Sequence, residues 1–241
     1  LGGKPLVARS FAPFALQDAL MSMSIQIQRR IVSGDRAFML DVSFESDRRR
    51  VALFGPSGAG KTVTLQSIAG LMRPDSGRIV LNGRTLFDSG KQICLAPQER
   101  KVAYLFQDYG LFPHLTVAQN IGFGLKSGWR NPSRKGLPGI VCKWIAAFEL
   151  EAVIHSYPTE ISGGQKQRVA LARALAVEPE ILLLDEPLAA LDASLRKKMR
   201  AELAALQERL DIPMILITHD PDDVREMADQ VFAICDGKIT A

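Results

Sequence analysis

Two kinds of hydrophobic pattern alternate along the chain. Ile25–Arg30 and Phe38–Phe44 place apolar and polar residues at every second position, as strands buried on one face do, and Gly34-Asp35 between them supplies a turn. Val51-Ala52-Leu53-Phe54 is instead an unbroken apolar run that stops at Gly55, the pattern of a parallel strand covered on both sides. Leu65, Ile68, Ala69 and Met72 follow at helical spacing, and Pro74 and Gly77 then interrupt. Ile79-Val80-Leu81 predicts a short strand closed by the turn pair Asn82-Gly83, and Val102–Phe106 predicts another.

From Asp108 to about Thr159 the pattern changes to glycines, prolines and short helical stretches without a buried strand. We expect an inserted helical subdomain over 108–159, with a surface loop at Ser127–Gly139, which is rich in Gly, Pro, Ser and basic residues. Strand–helix alternation then resumes. A helix over Gln165–Val177 is stopped by Pro179, a buried strand covers Ile181–Leu184, and Leu195, Met199, Leu203, Leu206 and Leu210 mark the apolar face of a long helix. Met214–Thr218 and Val231–Cys235 are further strands. This alternation predicts an α/β fold with a mainly parallel sheet.

Composition narrows the class. Apolar residues make up 47% of the 241 and charged residues 23%, enough to build a core and inconsistent with a disordered chain. A net charge of +4 is compatible with a nucleic-acid or anionic-membrane partner but demands neither, and the densest basic cluster, Arg48-Arg49-Arg50, reads as a turn before a strand. The three cysteines, Cys94, Cys142 and Cys235, show neither a disulfide framework nor metal-ligand spacing, which points to a reducing compartment. No apolar run approaches the roughly 18 residues of a membrane span. Lys4, Pro5, Arg9, Pro13 and Asp18 break the N-terminal stretch, so it makes a poor signal peptide. We expect a loosely ordered extension over 1–22, with Met21 or Met23 as a natural start.

The chemistry begins at Gly55-Pro56-Ser57-Gly58-Ala59-Gly60-Lys61-Thr62. It matches the phosphate-loop pattern Gly-x-x-x-x-Gly-Lys-Ser/Thr and lies between a predicted strand and a predicted helix. Glycines let backbone N–H groups turn inward around a polyphosphate, and the helix adds its positive N-terminal end. Lys61 brings a full charge to the β/γ-phosphates, and the Thr62 hydroxyl suits Mg²⁺. Asp185 and Glu186 follow the strand Ile181–Leu184, at the end where open α/β sheets bind ligands. Asp185 suits Mg²⁺, and Glu186 is free to orient or deprotonate the attacking water. Gln107 and His219 each close a strand and are expected at the same site, Gln107 on Mg²⁺ or the lytic water and His219 on the γ-phosphate.

Ile161-Ser162-Gly163-Gly164-Gln165 resembles the Leu-Ser-Gly-Gly-Gln motif of ABC ATPases. Ser162 and Gln165 also form a helix capping box, so the motif serves equally to start a helix. Taken with the phosphate loop, Gln107, Asp185-Glu186, Leu191-Asp192 and His219, residues 23–241 resemble a complete ABC nucleotide-binding domain. The resemblance implies a P-loop NTPase core of RecA-like form over 23–107 and 160–241, with an N-terminal antiparallel β portion. It further implies ATP and Mg²⁺ as cofactors and a homodimer that closes head-to-tail over two ATP molecules. In that dimer Ser162, Gly163, Gly164 and Gln165 of one chain face the nucleotide held by the other, and Asp192 crosses the same interface.

The stretch Phe106–Val117 is similar to the importer branch that handles sulfate, iron, polyamines and molybdate. Ser76–Gly83 and Ile93–Arg100 most resemble molybdate importer ATPases. Integral-membrane permease subunits, an indirect substrate-binding protein and a peripheral location on the cytoplasmic face of the inner membrane are implied. Leu111, Phe112, Leu115 and Val117 are expected either to line the groove for the permease or to fill the core of the helical subdomain. Nucleic acid is not expected as a partner: relatives acting on nucleic acid or the ribosome usually carry paired cassettes or a long coiled-coil insertion. A non-hydrolysing interaction module is a further reading, against which Glu186, Gln107 and His219 weigh. Three features depart from the family. Arg30–Asp35 holds no aromatic residue to stack on adenine, leaving Phe38 as the candidate. Val63 stands where a second hydroxyl often follows the lysine. The C-terminal regulatory β-domain of many relatives has no counterpart up to Ala241.

Overall fold

The computed structural model describes residues 22–240 except 35, 126–130, 133–135, 190 and 211. The expected N-terminal extension, Asp35 of the first turn and much of the Ser127–Gly139 loop lie outside the described residues. The strands are β1 (Met23–Ser33), β2 (Arg36–Ser46), β3 (Arg50–Phe54), β4 (Ser76–Leu81), β5 (Arg84–Asp88), β6 (Ile93–Cys94), β7 (Val102–Leu105), β8 (Ile181–Asp185), β9 (Met214–Thr218), β10 (Gln230–Cys235) and β11 (Lys238–Thr240). The helices are α1 (Lys61–Ala69), α2 (Val117–Ile121), α3 (Gly139–Ala147), α4 (Gly163–Ala176), α5 (Ala193–Leu210) and α6 (Pro221–Met227).

Among the described residues the strands form one sheet in the order β6-β5-β4-β1-β2-β11-β10-β3-β9-β8-β7. The run β10-β3-β9-β8-β7 is parallel throughout, whereas β1, β2, β4, β5 and β6 pair antiparallel with one another, and β11 joins β2 in parallel and β10 in antiparallel fashion. Side-chain alternation explains why the parallel strands read as continuous apolar runs. Ile181 and Leu183 of β8 and Ile215 and Ile217 of β9 pack into one hydrophobic cluster with α1, β1 and β2. Leu182, Leu184, Met214 and Leu216 point the other way, into a second cluster with α2, α3, α4 and α5. Each face is covered, so every position is apolar. Between β7 and β8 the described residues contribute helices and turns, and α4 packs on both α2 and α3.

Two expectations shift. Met72 was expected on the face of α1, but the helix stops at Ala69 because Gly70 takes the left-handed backbone (φ 80°). The amides of Leu71 and Met72 both turn back to the Gln66 carbonyl. Arg100 donates to the Ser67 and Ile68 carbonyls at 2.8 Å each, placing a cation at the negative end of α1. Arg50, expected in a turn, is the first residue of β3, where its Nε donates to Asp229 Oδ1 at 2.9 Å.

Parallel pairing decides where the site falls. Phe54 lies opposite Thr218, Asp185 opposite Ile217 and Leu105 opposite Leu184. The carboxyl ends of β3, β7, β8 and β9 therefore share one edge, and the phosphate loop, Gln107, Asp185-Glu186 and His219 all leave from it.

Candidate nucleotide site

The loop between β3 and α1 is shaped by contacts that only glycine permits. A Cβ at Gly55 would sit 2.1 Å from the Ile234 carbonyl oxygen, on the neighbouring strand β10. Gly60 has φ 101°, and a Cβ there would meet Leu40 Cδ1 at 2.6 Å and the Phe38 ring at 3.1 Å. Gly55→Ala is therefore expected to destabilise the fold by ~3 kcal/mol or more, since backbone on both sides must yield. A thermal midpoint equal to that of the parent would contradict this packing. The Phe38 ring itself lies against Gly60 and Gly237, beside the loop.

Lys61 is buried, and its Nζ donates to the Gly55 carbonyl (2.7 Å) and the Pro56 carbonyl (2.8 Å). Burial pushes its pKa down, while Glu186 and Asp185 push it back up. The ammonium thus already occupies the interior of the glycine loop, where a phosphate's charge would meet it. Thr62 Oγ1 donates to Asp185 Oδ1 at 3.0 Å, and the Tyr104 hydroxyl donates to Asp185 Oδ2 at 2.6 Å. Asp185 is buried; burial raises its pKa, and the two hydroxyls oppose that rise. The Tyr104 hydroxyl is pushed well above its ordinary range by burial and by the carboxylate beside it.

A hydroxyl and a carboxylate converging on one point make an oxygen donor set of the kind Mg²⁺ takes. No group of three or more His, Cys, Asp or Glu capable of holding a metal occurs among the described residues.

Glu186, next in the chain, adopts the left-handed backbone (φ 44°), uncommon for a residue with a side chain. Its Oε2 lies 3.3 Å from His219 Nδ1. His219 is held on both flanks. Thr218 Oγ1 donates to Asp223 Oδ2 (2.7 Å), and the almost fully buried Arg200 binds Asp223 (2.6 Å) and Asp220 (3.0 Å). Arg196, one helical turn earlier, donates to the Leu191 carbonyl at 3.1 Å. Through these arginines α5 joins the strand end bearing His219 to the turn bearing Asp192.

Ser162 caps α4: its Oγ accepts from the Gln165 amide (3.3 Å), and Gln165 Oε1 accepts from the Ser162 amide (2.9 Å). The two glycines pack on α5 and the turn before it. A Cβ at Gly163 would meet Leu191 at 3.4 Å, and one at Gly164 would meet Met199 at 3.5 Å and Leu195 at 3.6 Å. Asp192 Oδ1 accepts from the Leu195 amide at 3.0 Å, capping the start of α5. Gly163 therefore packs beside the turn that bears Asp192.

Gln107 is exposed, two residues beyond β7 at the shared edge. Of the residues expected in a permease groove or in the subdomain core, Leu115 and Val117 are fully buried, because Thr116 starts α2 and directs both into the helical core. Phe112 instead stacks on the partly exposed Phe123, with ring centroids 4.2 Å apart.

The sequence model of the ABC transporter family matches residues 40–189, and the chain belongs to that family. It is 43% identical over 205 residues to the molybdenum import ATP-binding protein of Rhodospirillum rubrum, covering 85% of this chain and 54% of that protein. It is also 43% identical over 209 residues to the sulfate/thiosulfate import ATP-binding protein of Synechocystis sp., covering 86% and 56%. The chain thus spans about half the length of these curated relatives. Among solved structures it is similar to an ATP-binding cassette in a dimeric post-hydrolysis state with ADP and phosphate, with TM-score 0.73 and 26% identity over 91% of this chain and 97% of that one. A dimeric bacterial ABC transporter cassette superposes with TM-score 0.74 at 27% identity, with the same coverage. The fold is that of a P-loop NTPase.

Proposed function

We propose that the chain is the ATP-hydrolysing part of an ABC importer for a small tetrahedral oxyanion, molybdate foremost. The observation that carries this reading is the convergence of Lys61, Thr62–Asp185 and Glu186–His219 on one sheet edge beside the glycine loop. Residues Gly55, Pro56, Ser57, Gly58, Ala59 and Gly60 wrap the ATP phosphates with backbone amides, and Lys61 leaves its two carbonyl partners to bind the β/γ-phosphates. Thr62, Asp185 and Gln107 would hold Mg²⁺, which would supply positive charge beside the phosphates. Glu186 accepts the proton of the attacking water, and His219 donates to the γ-phosphate. Positioning and electrostatics supply most of the rate.

Two copies close over two nucleotides, each chain's Ser162, Gly163, Gly164, Gln165 and Asp192 completing the partner's site. The packing of Gly163 on Leu191, next to Asp192, and the dimeric form of the similar cassettes support this arrangement. In this reading residues 23–107 and 160–241 form the ATP-binding core and 108–159 the helical subdomain. Within that core α4, the helix that begins at Ser162–Gln165, packs on α2 and α3 and so joins the core to the helical subdomain. No helix among the described residues is long and apolar enough to cross a membrane. The chain is placed on the cytoplasmic face of the inner membrane by permease subunits docked around Phe112 and Phe123.

The equal identity to molybdenum and sulfate import proteins supports an oxyanion without separating the two. The test is to copurify the chain with its membrane subunits and add binding protein loaded with molybdate, sulfate or neither. We expect molybdate-loaded protein to raise ATP turnover most. Greater stimulation by sulfate would reassign the cargo, and no turnover under any condition would remove the ATPase reading.

A further inference from the structure

Arg173 lies on α4, ten residues along from Gly163, about 15 Å from the helix tip. It does not reach the phosphate loop, yet its guanidinium is committed to the segment that leaves Gln107. Nη1 donates to the Gly110 carbonyl (2.7 Å) and Nη2 to the Tyr109 carbonyl (2.8 Å). Two successive carbonyls can face one fork because Tyr109 (φ 64°) and Gly110 (φ 51°) both take the left-handed backbone. A Cβ at Gly110 would press on the Phe106 ring at 3.2 Å and approach Arg173 Nη2 at 3.7 Å. The same guanidinium stands 5.5 Å from the centroid of the Phe112 ring, which in turn stacks on Phe123. Burial depresses the guanidinium's pKa, and Asp108 counters this.

The rest of the loop is held differently. Asn120 of α2 accepts from the Phe112 amide (2.9 Å) and donates to the Phe112, Leu115 and Thr116 carbonyls (3.2, 3.0 and 3.1 Å). Residues 112–116 are therefore fastened to α2, while 109–110 are fastened to α4 through Arg173. α4 is capped by Ser162 and Gln165 and buried along Val169, Ala172 and Leu175, so it transmits a displacement as a rod.

We propose that Arg173 is a positioning residue that couples the Gln107 loop to α4, the helix capped by Ser162 and Gln165. A shift of Gln107 toward nucleotide in one half of the site then reorients Ser162–Gln165, which serve the partner's nucleotide. The proposal rests on the ATPase reading above. Lysine keeps the charge but presents a single ammonium in place of a planar fork, so it cannot hold both carbonyls in the same geometry.

Arg173→Lys, Gln107→Ala and the double variant are to be compared with the parent for ATP turnover, fluorescent-nucleotide affinity and thermal midpoint. For Arg173→Lys we expect kcat to fall about tenfold while KM and nucleotide affinity stay within about twofold. We expect the double variant to be no slower than the slower single variant, because both changes interrupt one coupling. The proposal is overturned if Arg173→Lys turns over normally. It is also overturned if the two losses multiply, or if Arg173→Lys fails to fold or loses nucleotide affinity in step with kcat, which would make the arginine merely structural. A parent chain that neither binds nor hydrolyses ATP would instead defeat the ATPase reading itself.

Discussion

Glu186→Gln is expected to slow ATP turnover by roughly two to four orders of magnitude while leaving ATP binding intact. Glutamine has the size and shape of glutamate and loses only the ability to accept a proton. It takes the left-handed backbone at this position as readily as glutamate does, and its amide can still meet His219 across the present 3.3 Å. The proposed phosphate contacts lie elsewhere, on Lys61 and the glycine loop, so affinity should stay within a few-fold of the parent. With hydrolysis blocked and binding retained, the closed state has no exit. The variant should then elute as a dimer when ATP is present and as the parent does when it is absent. The check is turnover by phosphate release together with size-exclusion chromatography with and without ATP. Turnover at the parent rate would show that another group takes the proton, and His219 would be the next to test.

The chain's local patterns made most of this site readable, and the reason is the parallel sheet. Gly55–Thr62, Asp185-Glu186 and His219 each directly follow an apolar strand, and parallel strands deliver their ends to the same edge. Three separate motifs could therefore be placed together before any contact was known. What stayed hidden depends on register. Nothing near Tyr104 in the sequence points to Asp185, and the hydroxyl reaches that carboxylate only because β7 and β8 align Leu105 with Leu184. Arg196 and Arg200 carry a faint signal, two arginines four apart on a helix with Asp220, Asp222 and Asp223 downstream. Only the packing of α6 on α5 makes them partners. Strands of two or three residues, such as β6 and β11, are too short for alternation to register. That Leu115 and Val117 stayed open between groove and core has a similar origin. An apolar run gives no sign of which side faces the core until Thr116 is seen to cap α2.

Lys61→Ala is expected to weaken ATP binding by about 100-fold, in line with losing one or two charge-assisted hydrogen bonds at about 1.5–3 kcal/mol each. The same ammonium bonds the Gly55 and Pro56 carbonyls, so its removal also disturbs the loop itself. These two effects separate by thermal denaturation at two nucleotide levels. Without ATP the variant should melt somewhat below the parent, reflecting carbonyls left without their donor. With ATP at a hundred times the parent's Kd, the parent should gain about 2.7 kcal/mol of stability and the variant well under half as much. Equal gains in both proteins would mean that the phosphates are held somewhere other than this loop. The contrast with Glu186→Gln then becomes informative in itself. One variant loses the ligand and the other keeps it without consuming it, so only the second should accumulate an ATP-bound dimer. If Lys61→Ala dimerised with ATP as readily as Glu186→Gln, closure would not depend on nucleotide gripped by the glycine loop, and the composite site formed with the partner's Ser162–Gln165 would lose its physical basis.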